Sequence, residues 1–597
     1  MLLRSPEARL VTLLRQCYRS PRCLTTTRAL ATSSPRGLRA GRLSCTTPGS
    51  ERSYTTGHTP DNVAVLGGGI TGLIAAAMVA RRNPNANVTL YEGSSRLGGW
   101  VHSEVVQSSD GPVVFEDGPR SLRPGTSRGH YAMGLAENLG LGGKMVFTSQ
   151  ESAAGLNRFI YYPDRLQRMP SPKDMKLQIA YTMLTNPMFE GMFASMWGED
   201  QVPKRPDSLV DESIAEFVKR RSGGNKKPVE NIISAVLHGI YAGDVNQLSA
   251  RSLMSELWAW EGEYGSLTQG MVRSRRARGG GPPQPYADGA VSQELGERAN
   301  NASIYTFQNG GMQAFPDALE GVIREQKNAV IRTETKVSGI KRSEDGKSIQ
   351  VCAPSLALPW YKLTSTSQVK TSDNQPAQSY SHVLSTLPAH QLAPLVDIPA
   401  LALIPYVTVM TVSLYYTNPD LVPTPGFGYL IPQSVPFSQN PEFALGVVFD
   451  SHATPDLDAG TGTKLTVMLG GHYWDGRSDK ELPTPEEGQK MAERVLERHL
   501  GIKEKPDLVR ARLHKKCIPQ YTVGHHQRLQ SVDAAIKRQF GGRLSVGGAW
   551  VDGVGVNDCI RSGVFQGMTL EKGYTGLELA LDGKEELKAK LPHGLVA

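Results

Sequence analysis

The chain has 597 residues, which is too long for one hydrophobic core and predicts about three or four domains. Hydrophobic residues make up 39% and charged residues 20%, and no run of about eighteen apolar residues occurs, so the sequence predicts a globular protein without a single spanning helix. The net charge of +8 is modest and excludes a general nucleic-acid-binding surface.

Most of the excess positive charge lies at the N-terminus. The first fifty residues hold nine arginines and one acidic residue, Glu7, among many serines and threonines. Such a segment is typical of a mitochondrial transit peptide, and a basic tail without a targeting role is the alternative. We therefore expect residues 1–55 to be an import signal that contributes nothing to the fold.

The first folded unit begins with an apolar strand at Val63–Leu66. A glycine-rich turn follows, then an alanine-rich helix at Leu73–Arg82 and a second strand at Val88–Tyr91. This order predicts a βαβ half-unit that opens a parallel α/β sheet.

The turn between strand and helix has the spacing of a dinucleotide-binding motif. Gly67 permits the tight turn, Gly69 lets a pyrophosphate approach the backbone, and Gly72 allows close helix packing. Glu92 follows Gly72 by twenty residues, where an acid hydrogen-bonds a ribose hydroxyl. The candidate cofactor contacts of this unit are Gly67, Gly68, Gly69, Ile70, Thr71, Gly72 and Glu92.

The residues after Glu92 distinguish FAD from NAD. Arg96, Gly98 and Gly99 form a second glycine turn, "RLGG", that lets the chain pass close to a long cofactor, and Arg96 is placed to pair with its phosphates. The C-terminal "GGAWVDGVGVND" suits a flavin held between two ends of the polypeptide. We therefore predict FAD. No metal-ligand set is found, and the six cysteines indicate neither a disulfide framework nor a CxxC site.

The residue pattern and composition change several times along the rest of the chain. Met175 to Trp260 is helical in pattern and rich in methionine, and Arg273–Asn300 predicts a low-complexity loop. Ser365–Gln378 is a second polar insertion, and Tyr406 to Val467 alternates like strands. The adjacent His525 and His526 favour a surface pair. The first and last glycine-rich units predict one domain into which the middle of the chain is inserted.

Several motifs together resemble one family. "RLGGWVHS", "FEDGPRSLRP", "NRFIYY", "GFGYLIP", "GVVFDS", "TVMLGG", "HKKCIPQYTVGH" and "GVGVNDCIRSG" are similar to those of the oxygen-dependent protoporphyrinogen oxidases, which belong to the flavin amine oxidase superfamily. The resemblance runs from about residue 62 to 575, interrupted by the two insertions. The glycine turns are shared across the superfamily, whereas "CIPQYTVGH" and "GFGYLIP" resemble this family in particular.

The resemblance implies an α/β plus α+β fold with three parts. These are a Rossmann-like FAD-binding domain (60–150, 302–345 and 530–590), an inserted β-rich substrate domain (151–170 and 346–529) and a helical membrane-binding domain (171–301) with a disordered loop at 273–300. It also implies that the helices contact the membrane from one side without spanning it; the alternative is that their apolar residues are ordinary core.

The resemblance further assigns residues to the substrate. Arg158 is similar to an arginine that pairs with a propionate, with a surface salt bridge as the alternative. Phe427 and Leu430 pack on the macrocycle, Gly428 leaves room for a ring, and Met468 forms another wall. The remaining implied flavin contacts are Arg96, Gly99, Trp100, Gly118, Pro119, Arg120, Ser121, Val337, Ala549, Val554, Gly555 and Val556.

The implied reaction is the six-electron oxidation of protoporphyrinogen IX by dioxygen in three two-electron rounds, with hydride passing to flavin N5, no protein general base and hydrogen peroxide as by-product. The implied location is the intermembrane-space face of the mitochondrial inner membrane. A homodimer is expected from the family and a contact with ferrochelatase from the pathway. Two alternatives stay open, namely another amine-oxidase-type flavin oxidase and a catalytically inert membrane-bound flavoprotein.

Overall fold

The computed structural model describes residues 61–171, 173–277, 291–353 and 377–581. The predicted import signal and most of the two predicted insertions lie outside these ranges.

Within them the strands, numbered in chain order, are β1 Asn62–Leu66, β2 Asn87–Tyr91, β3 Ser103–Ser108, β4 Gly111–Glu116, β5 Met145–Ser149, β6 Phe159–Tyr161, β7 Leu166–Arg168, β8 Ala302–Phe307, β9 Ala329–Arg332, β10 Gly339–Arg342, β11 Ile349–Cys352, β12 Gln378–Tyr380, β13 His382–Ser385, β14 Tyr406–Tyr416, β15 Gly428–Leu430, β16 Ala444–Phe449, β17 Thr463–Gly470, β18 Leu508–Pro519 and β19 Leu544–Val546.

The α-helices of the same ranges are α1 Ile70–Arg82, α2 Ser127–Ala136, α3 Ala153–Leu156, α4 Lys176–Thr185, α5 Met192–Gly198, α6 Ile214–Arg221, α7 Ser234–Tyr241, α8 Ala250–Leu253, α9 Ser255–Tyr264, α10 Leu267–Ala277, α11 Gln293–Asn300, α12 Ala314–Glu325, α13 Ala389–Val396, α14 Pro399–Ala402, α15 Asp450–Ala453, α16 Pro485–Leu500, α17 His525–Phe540, α18 Val556–Thr569 and α19 Glu578–Leu581.

A parallel sheet in the order β19-β13-β1-β2-β9 forms the centre of the predicted FAD-binding domain. We call this sheet and the helices on its two faces the flavin region. Alternate residues of β1 point to opposite faces. Val63 and Val65 join the core under α1, α2, α12 and α18, whereas Ala64 and Leu66 join the core under α13, α14 and α17. Helices on both faces of a parallel sheet are the Rossmann-like arrangement, so this part of the predicted fold class is confirmed, whereas the membrane-binding role of the helical part stays a prediction.

The predicted boundary at residue 346 is corrected by the strand pairing. β13 pairs in parallel with both β1 and β19, and α13 and α14 pack on the same sheet. Residues 377–402 therefore belong to the flavin region and not to the substrate region. A short strand that is buried on both faces has no alternating pattern, so the sequence does not reveal which sheet contains it.

The substrate region is a seven-stranded sheet in the order β18-β14-β17-β16-β15-β6-β7. Its strands are antiparallel except for β6 and β15, which pair in parallel. Helix α16 contributes Ala492, Val495 and Leu496 to the core on one face. The pairing of β6 with β15 brings "NRFIYY" beside "GFGYL", although 263 residues lie between these motifs in the sequence.

Helices α4 to α10 form the helical region, as the sequence pattern predicts. The two ends of the predicted loop 273–300 are helical, because α10 continues to Ala277 and α11 begins at Gln293, where the Ser292 hydroxyl accepts a hydrogen bond from the Leu295 N–H. Among the described helices, none has the length and apolar character needed to cross a bilayer.

Candidate functional site

The first glycine turn joins β1 to α1 at the carboxyl edge of the parallel sheet. Gly67 has φ +100°, a conformation that glycine adopts without strain. A Cβ on Gly72 would lie 1.9 Å from the carbonyl oxygen of Gly67, so the helix starts this close to the strand only with glycine there. Within the described chain no side chain caps α1, and its first turn has no acid. Its first N–H groups are therefore suited to an anion.

The Glu92 carboxylate lies against this turn. Its Oε2 accepts a hydrogen bond from the Gly68 N–H at 2.7 Å, and its Oε1 accepts from both the N–H and the hydroxyl of Ser94 at 2.8 Å. The acid predicted from spacing alone is thus fixed beside the glycine turn by three hydrogen bonds. The predicted contact with a ribose hydroxyl stays a prediction.

The second glycine turn packs directly on the first. The Gly98 N–H donates to the Gly68 carbonyl at 2.9 Å, and a Cβ on Gly99 would lie 3.0 Å from the Cα of Gly69. The Arg96 guanidinium donates to the Gly99 carbonyl at 2.6 Å and, at 3.3 Å, to the carbonyls of Leu97 and Val101. Arg96 therefore shapes its own turn, and its predicted pairing with phosphate stays a prediction.

The C-terminal glycine-rich segment follows β19 on the other side of β1. The Tyr521 hydroxyl joins the two ends of its turn, because it donates to the Ala549 carbonyl at 2.6 Å and accepts from the Gly553 N–H at 2.7 Å. Tyr521 also stacks on His525, with ring centroids 4.1 Å apart. His525 is buried, so the prediction of a surface histidine pair was wrong for this residue.

The N-termini of α1 and α18 lie side by side. The Thr71 hydroxyl donates to the Cys559 carbonyl at 3.0 Å, and a Cβ on Gly563 would lie 2.5 Å from the Thr71 carbonyl oxygen. The predicted contacts Val554 and Val556 flank Gly555, which is exposed immediately before α18. Two turns that are far apart in sequence thus meet at one edge of the sheet.

This arrangement fits FAD. The sheet order places Glu92, after β2, on one side of the first glycine turn and the segment after β19 on the other. The Thr335 N–H donates to the Glu92 carbonyl at 2.8 Å, so the segment that leads to the buried Val337 lies at the Glu92 end. Glu92 and Val337 would hold the adenosine half, the glycine turns the pyrophosphate, and residues 549–556 the flavin half.

The predicted contacts from Trp100 to Ser121 connect the flavin region to the substrate sheet. Gly118 passes under Trp100, where a Cβ would lie 2.2 Å from the Trp100 carbonyl oxygen. The Trp100 ring, 44% exposed, meets His514 edge-on at 5.6 Å. Pro119 and Ser121 flank Arg120, which donates to the Asp450 carboxylate at 2.7 Å. Asp450 therefore accounts for much of the position of Arg120.

A buried carboxyl lies next to this ion pair. Glu116 accepts hydrogen bonds from the Ser103 hydroxyl at 2.6 Å and the Met312 N–H at 2.8 Å. Burial raises its pKa to about 7, although these hydrogen bonds and the charges of Lys464 and Arg120 oppose the rise. The junction thus holds a carboxyl that titrates near neutral pH.

Arg158 lies at the end of the substrate sheet that faces this junction. Its Cζ is 5.4 Å from the centroid of the Phe427 ring. Among the described residues, no carboxylate is within ion-pair distance of Arg158, so the alternative of a surface salt bridge is not supported. Desolvation lowers the pKa of Arg158, and repulsion by Arg123 adds to the effect. A guanidinium without a carboxylate partner beside an aromatic ring suits an anionic, flat ligand.

The predicted apolar wall is formed by neighbouring strands. Leu430 pairs with Gly446, and Gly446 pairs with Met468, so Leu430 and Met468 lie on the same face. Met468 and Phe427 also contact the same small core cluster. Gly428 has φ +131°, and its Cβ would lie 2.2 Å from the Val447 carbonyl oxygen. The backbone therefore explains this glycine, whereas the predicted clearance for a ring stays untested.

Sequence reasoning missed the contribution of α7 to this wall. A Cβ on Gly239 would lie 2.9 Å from Leu430, and the His238 imidazole is 2.6 Å from the Ile431 carbonyl oxygen. Val236 and Ile240 of the same helix are 44% and 46% exposed. The only sequence signal was an apolar helix, "VLHGIYAGD", without a charged face.

An open cleft of about 670 Å³ over β5 and β8 has no predicted site residue in its lining.

Comparisons with known proteins agree with this geometry. The model of the family described as flavin containing amine oxidoreductase matches residues 70–565. Protoporphyrinogen oxidase of Schizosaccharomyces pombe is 34% identical over 84% of this chain and 97% of its own length, and that of Homo sapiens is 32% identical over 84% and 96%. The crystal structure of a putative protoporphyrinogen oxidase from Exiguobacterium sp. 255-15 matches with a TM-score of 0.62 at 23% identity, over 86% of this chain and 98% of that one.

The two glycine turns, the C-terminal segment and the family match agree on FAD as the cofactor. The chain therefore belongs to the flavin-containing amine oxidoreductase family, with protoporphyrinogen oxidases among its relatives.

Proposed function

We propose that this protein oxidises protoporphyrinogen IX to protoporphyrin IX with FAD as cofactor and dioxygen as electron acceptor, and that it forms hydrogen peroxide. The observation that carries the proposal is Arg158, whose guanidinium lies beside the Phe427 ring without a carboxylate partner among the described residues. The relatives named protoporphyrinogen oxidase support the same substrate. A flat macrocycle with two propionates needs apolar walls and a cation, and this site provides both.

The residues of the chain bind and orient the substrate. Phe427, Leu430 and Met468 provide apolar contact, while Arg158 holds a propionate bidentately and so fixes which edge of the macrocycle enters the site. When bound, FAD supplies the two-electron oxidation that no protein side chain can perform. We assign no general base. Each round removes one hydride and one proton, and three rounds remove the six hydrogens that separate the two porphyrin states.

A direct assay tests this function. Purified protein loaded with FAD and supplied with protoporphyrinogen IX in air should yield fluorescent protoporphyrin and consume dioxygen. Rates no higher than autoxidation would contradict the proposal. Arg158→Ala should raise KM with little change in bound flavin, and loss of FAD instead would contradict the role given to Arg158. Turnover of amines but not of the porphyrinogen would favour another oxidase of the family.

We also propose that the protein lies on the intermembrane-space face of the mitochondrial inner membrane, to which residues 1–55 direct it. Helix α4 and the residue before it support this: Met175, Leu177, Tyr181 and Leu184 are 74%, 84%, 68% and 68% exposed. Such a row of apolar side chains suits contact with lipid from one side. Homodimer formation and a contact with ferrochelatase are parts of the same proposal. Fractionation of mitochondria and sedimentation of the purified protein, alone and with ferrochelatase, test them.

A further inference from the structure

Four charged side chains surround the start of α18, and we call them the Arg128 quartet: Arg128, Asp552, Asp558 and Arg561. Arg128 forms an ion pair with Asp558 and lies 3.3 Å from Asp552, which is 2.9 Å from Arg561. The Arg128 Nη1 also donates to the Asp552 backbone carbonyl at 3.2 Å. The quartet contains two cations and two carboxylates, so its net charge is zero.

The quartet lies at the flavin half of the proposed FAD site. The sheet order places the segment after β19 on the side of β1 opposite Glu92, where a dinucleotide with its adenosine at Glu92 has its other end. Thr71, in the first turn of α1, hydrogen-bonds Cys559 in the first turn of α18. The two helix starts therefore face the same cradle, one at the pyrophosphate and one at the flavin.

The two helix starts differ in charge. The first turn of α1 has no acidic residue. The first turn of α18 contains Asp558, whose Oδ2 accepts a hydrogen bond from the Gly555 N–H at 3.2 Å. A carboxylate at this position stabilises the helix but cancels part of the positive potential that the helix start would direct at a ligand. Arg128, which belongs to α2, supplies a cation that offsets Asp558.

We propose that Arg128 is a positioning residue that keeps the potential at the flavin end of the cradle from becoming negative, and thereby raises the reduction potential of bound FAD. The inference rests on the proposed function for the position of FAD. Reduction adds negative charge to the flavin, so a net negative quartet disfavours it and a net positive quartet favours it. Loss of Arg128 leaves the quartet at −1, and loss of the Asp558 charge leaves it at +1.

The test is an equilibrium titration of the flavin midpoint potential by dye-coupled reduction of the purified holoenzyme without porphyrinogen. Arg128→Met should shift the potential to a more negative value and Asp558→Asn to a more positive one. The double variant, which restores zero net charge, should return close to wild type. Arg128→Lys is the matched control, because it keeps the charge but not the two guanidinium nitrogens that contact Asp552 and Asp558, and its potential should also stay close to wild type.

Equal potentials in all four variants would overturn the proposal, as would an Arg128→Lys shift as large as that of Arg128→Met. If Arg128→Met does not retain FAD, the Asp558→Asn shift decides by itself, and a shift to a more negative value overturns the proposal. If the potentials follow the expected order but the enzyme does not oxidise porphyrinogen, this inference stands and the proposed substrate is wrong. A wild-type chain that binds no FAD would overturn both.

Discussion

The flavin region and the helical region differ in the charged groups that their interiors hold. The core of the flavin region is aliphatic and aromatic, and α1 buries eleven consecutive residues from Ile70 to Ala80. The interior of the helical region also contains a network of buried charges. Glu261 is fully buried and accepts hydrogen bonds from Arg205 at 2.9 Å and Arg220 at 2.5 Å, and Glu199 pairs with the buried Arg221.

The helical region also exposes apolar side chains on its outer surface. Helix α4 buries only Ile179 among its ten residues and exposes apolar side chains. Apolar residues mark a core only when the surroundings are water, so a helix with apolar residues outside suits a second, nonaqueous environment. The same kind of apolar helix pattern therefore corresponds to core packing in α1, whereas in α4 it leaves apolar side chains exposed.

The substitution with the strongest predicted consequence removes FAD from the flavin region. In Gly72→Ala the new Cβ would lie 1.9 Å from the Gly67 carbonyl oxygen, and no side-chain rotation relieves this contact because the oxygen belongs to the backbone. We expect the variant to lose bound FAD, which is measured as flavin absorbance per protein after gel filtration.

Gly321→Ala is the matched control, because Gly321 also lies inside a helix but its Cβ would meet nothing within 4 Å. It should retain FAD and gain up to about 1 kcal/mol in helix propensity. Full flavin content in Gly72→Ala would contradict the role of the glycine turn.

A second substitution should destabilise the helical region through its buried charges. Glu261→Gln leaves Arg205 and Arg220 without their shared carboxylate, and removal of one partner from a buried ion pair costs about 3–5 kcal/mol. We expect a lower thermal unfolding midpoint and faster proteolysis between residues 199 and 277, with flavin absorbance unchanged below the transition.

Glu320→Gln serves as its control, since Glu320 pairs with Arg324 one turn along α12 on an exposed surface. Exposed pairs of this kind contribute about 0.5 kcal/mol or less. Equal effects of the two substitutions would mean that the helical region does not depend on its charged interior.

Sequence reasoning predicted the parts of the fold whose causes are local. Gly67, Gly72 and Glu92 stand in a fixed order because strand, turn and helix are consecutive, and the structure places them as expected. Where the cause is a distant residue, the prediction failed or stayed open. β13, for example, joins the central sheet through partners 160 or more residues away on either side.

Candidate site residues follow the same division. Arg96 was predicted to face phosphate, yet its guanidinium contacts three carbonyls of its own turn, which spacing cannot reveal. Asp450, the partner of Arg120, was not singled out because the ion pair spans 330 residues. The wall formed by α7 was missed because an apolar helix that lines a site has the same pattern as one that fills a core.

The buried carboxyl groups Glu116 and Glu261 should make stability depend on pH in opposite directions. Burial raises the pKa of Glu116 to about 7, so the folded protein holds a proton there that the unfolded chain releases near pH 4.5. As pH rises between these values, Glu116 lowers the free energy of unfolding, by on the order of 3 kcal/mol in total. Glu116→Gln should remove this decline, measured as unfolding free energy at pH 5 and pH 8.

Glu261 has the opposite sign. Burial alone would raise its pKa, but Arg220 and Arg205 outweigh burial and hold the pKa below its usual range. Its contribution to stability is therefore present above the unfolded pKa and is lost as pH falls through the folded value. Glu261→Gln should reduce the loss of stability below about pH 4.5 and leave the decline toward pH 8 unchanged. The same pH profile for both variants would contradict the contrast between the regions.

The smallest expected effect on stability is at the surface of α4, where it decides what that surface is for. Leu177 and Tyr181 lie one turn apart and are 84% and 68% exposed, so replacing both with Gln should change the free energy of unfolding in solution by no more than about 0.5 kcal/mol. Binding to phosphatidylcholine vesicles, measured by flotation, should weaken more than tenfold, because each side chain loses about 1.5–3 kcal/mol of burial in lipid. Leu403→Gln, at a 65% exposed site in the flavin region, should leave flotation unchanged. If the α4 variant instead unfolds more easily and floats as well as wild type, these residues are core and not a membrane surface.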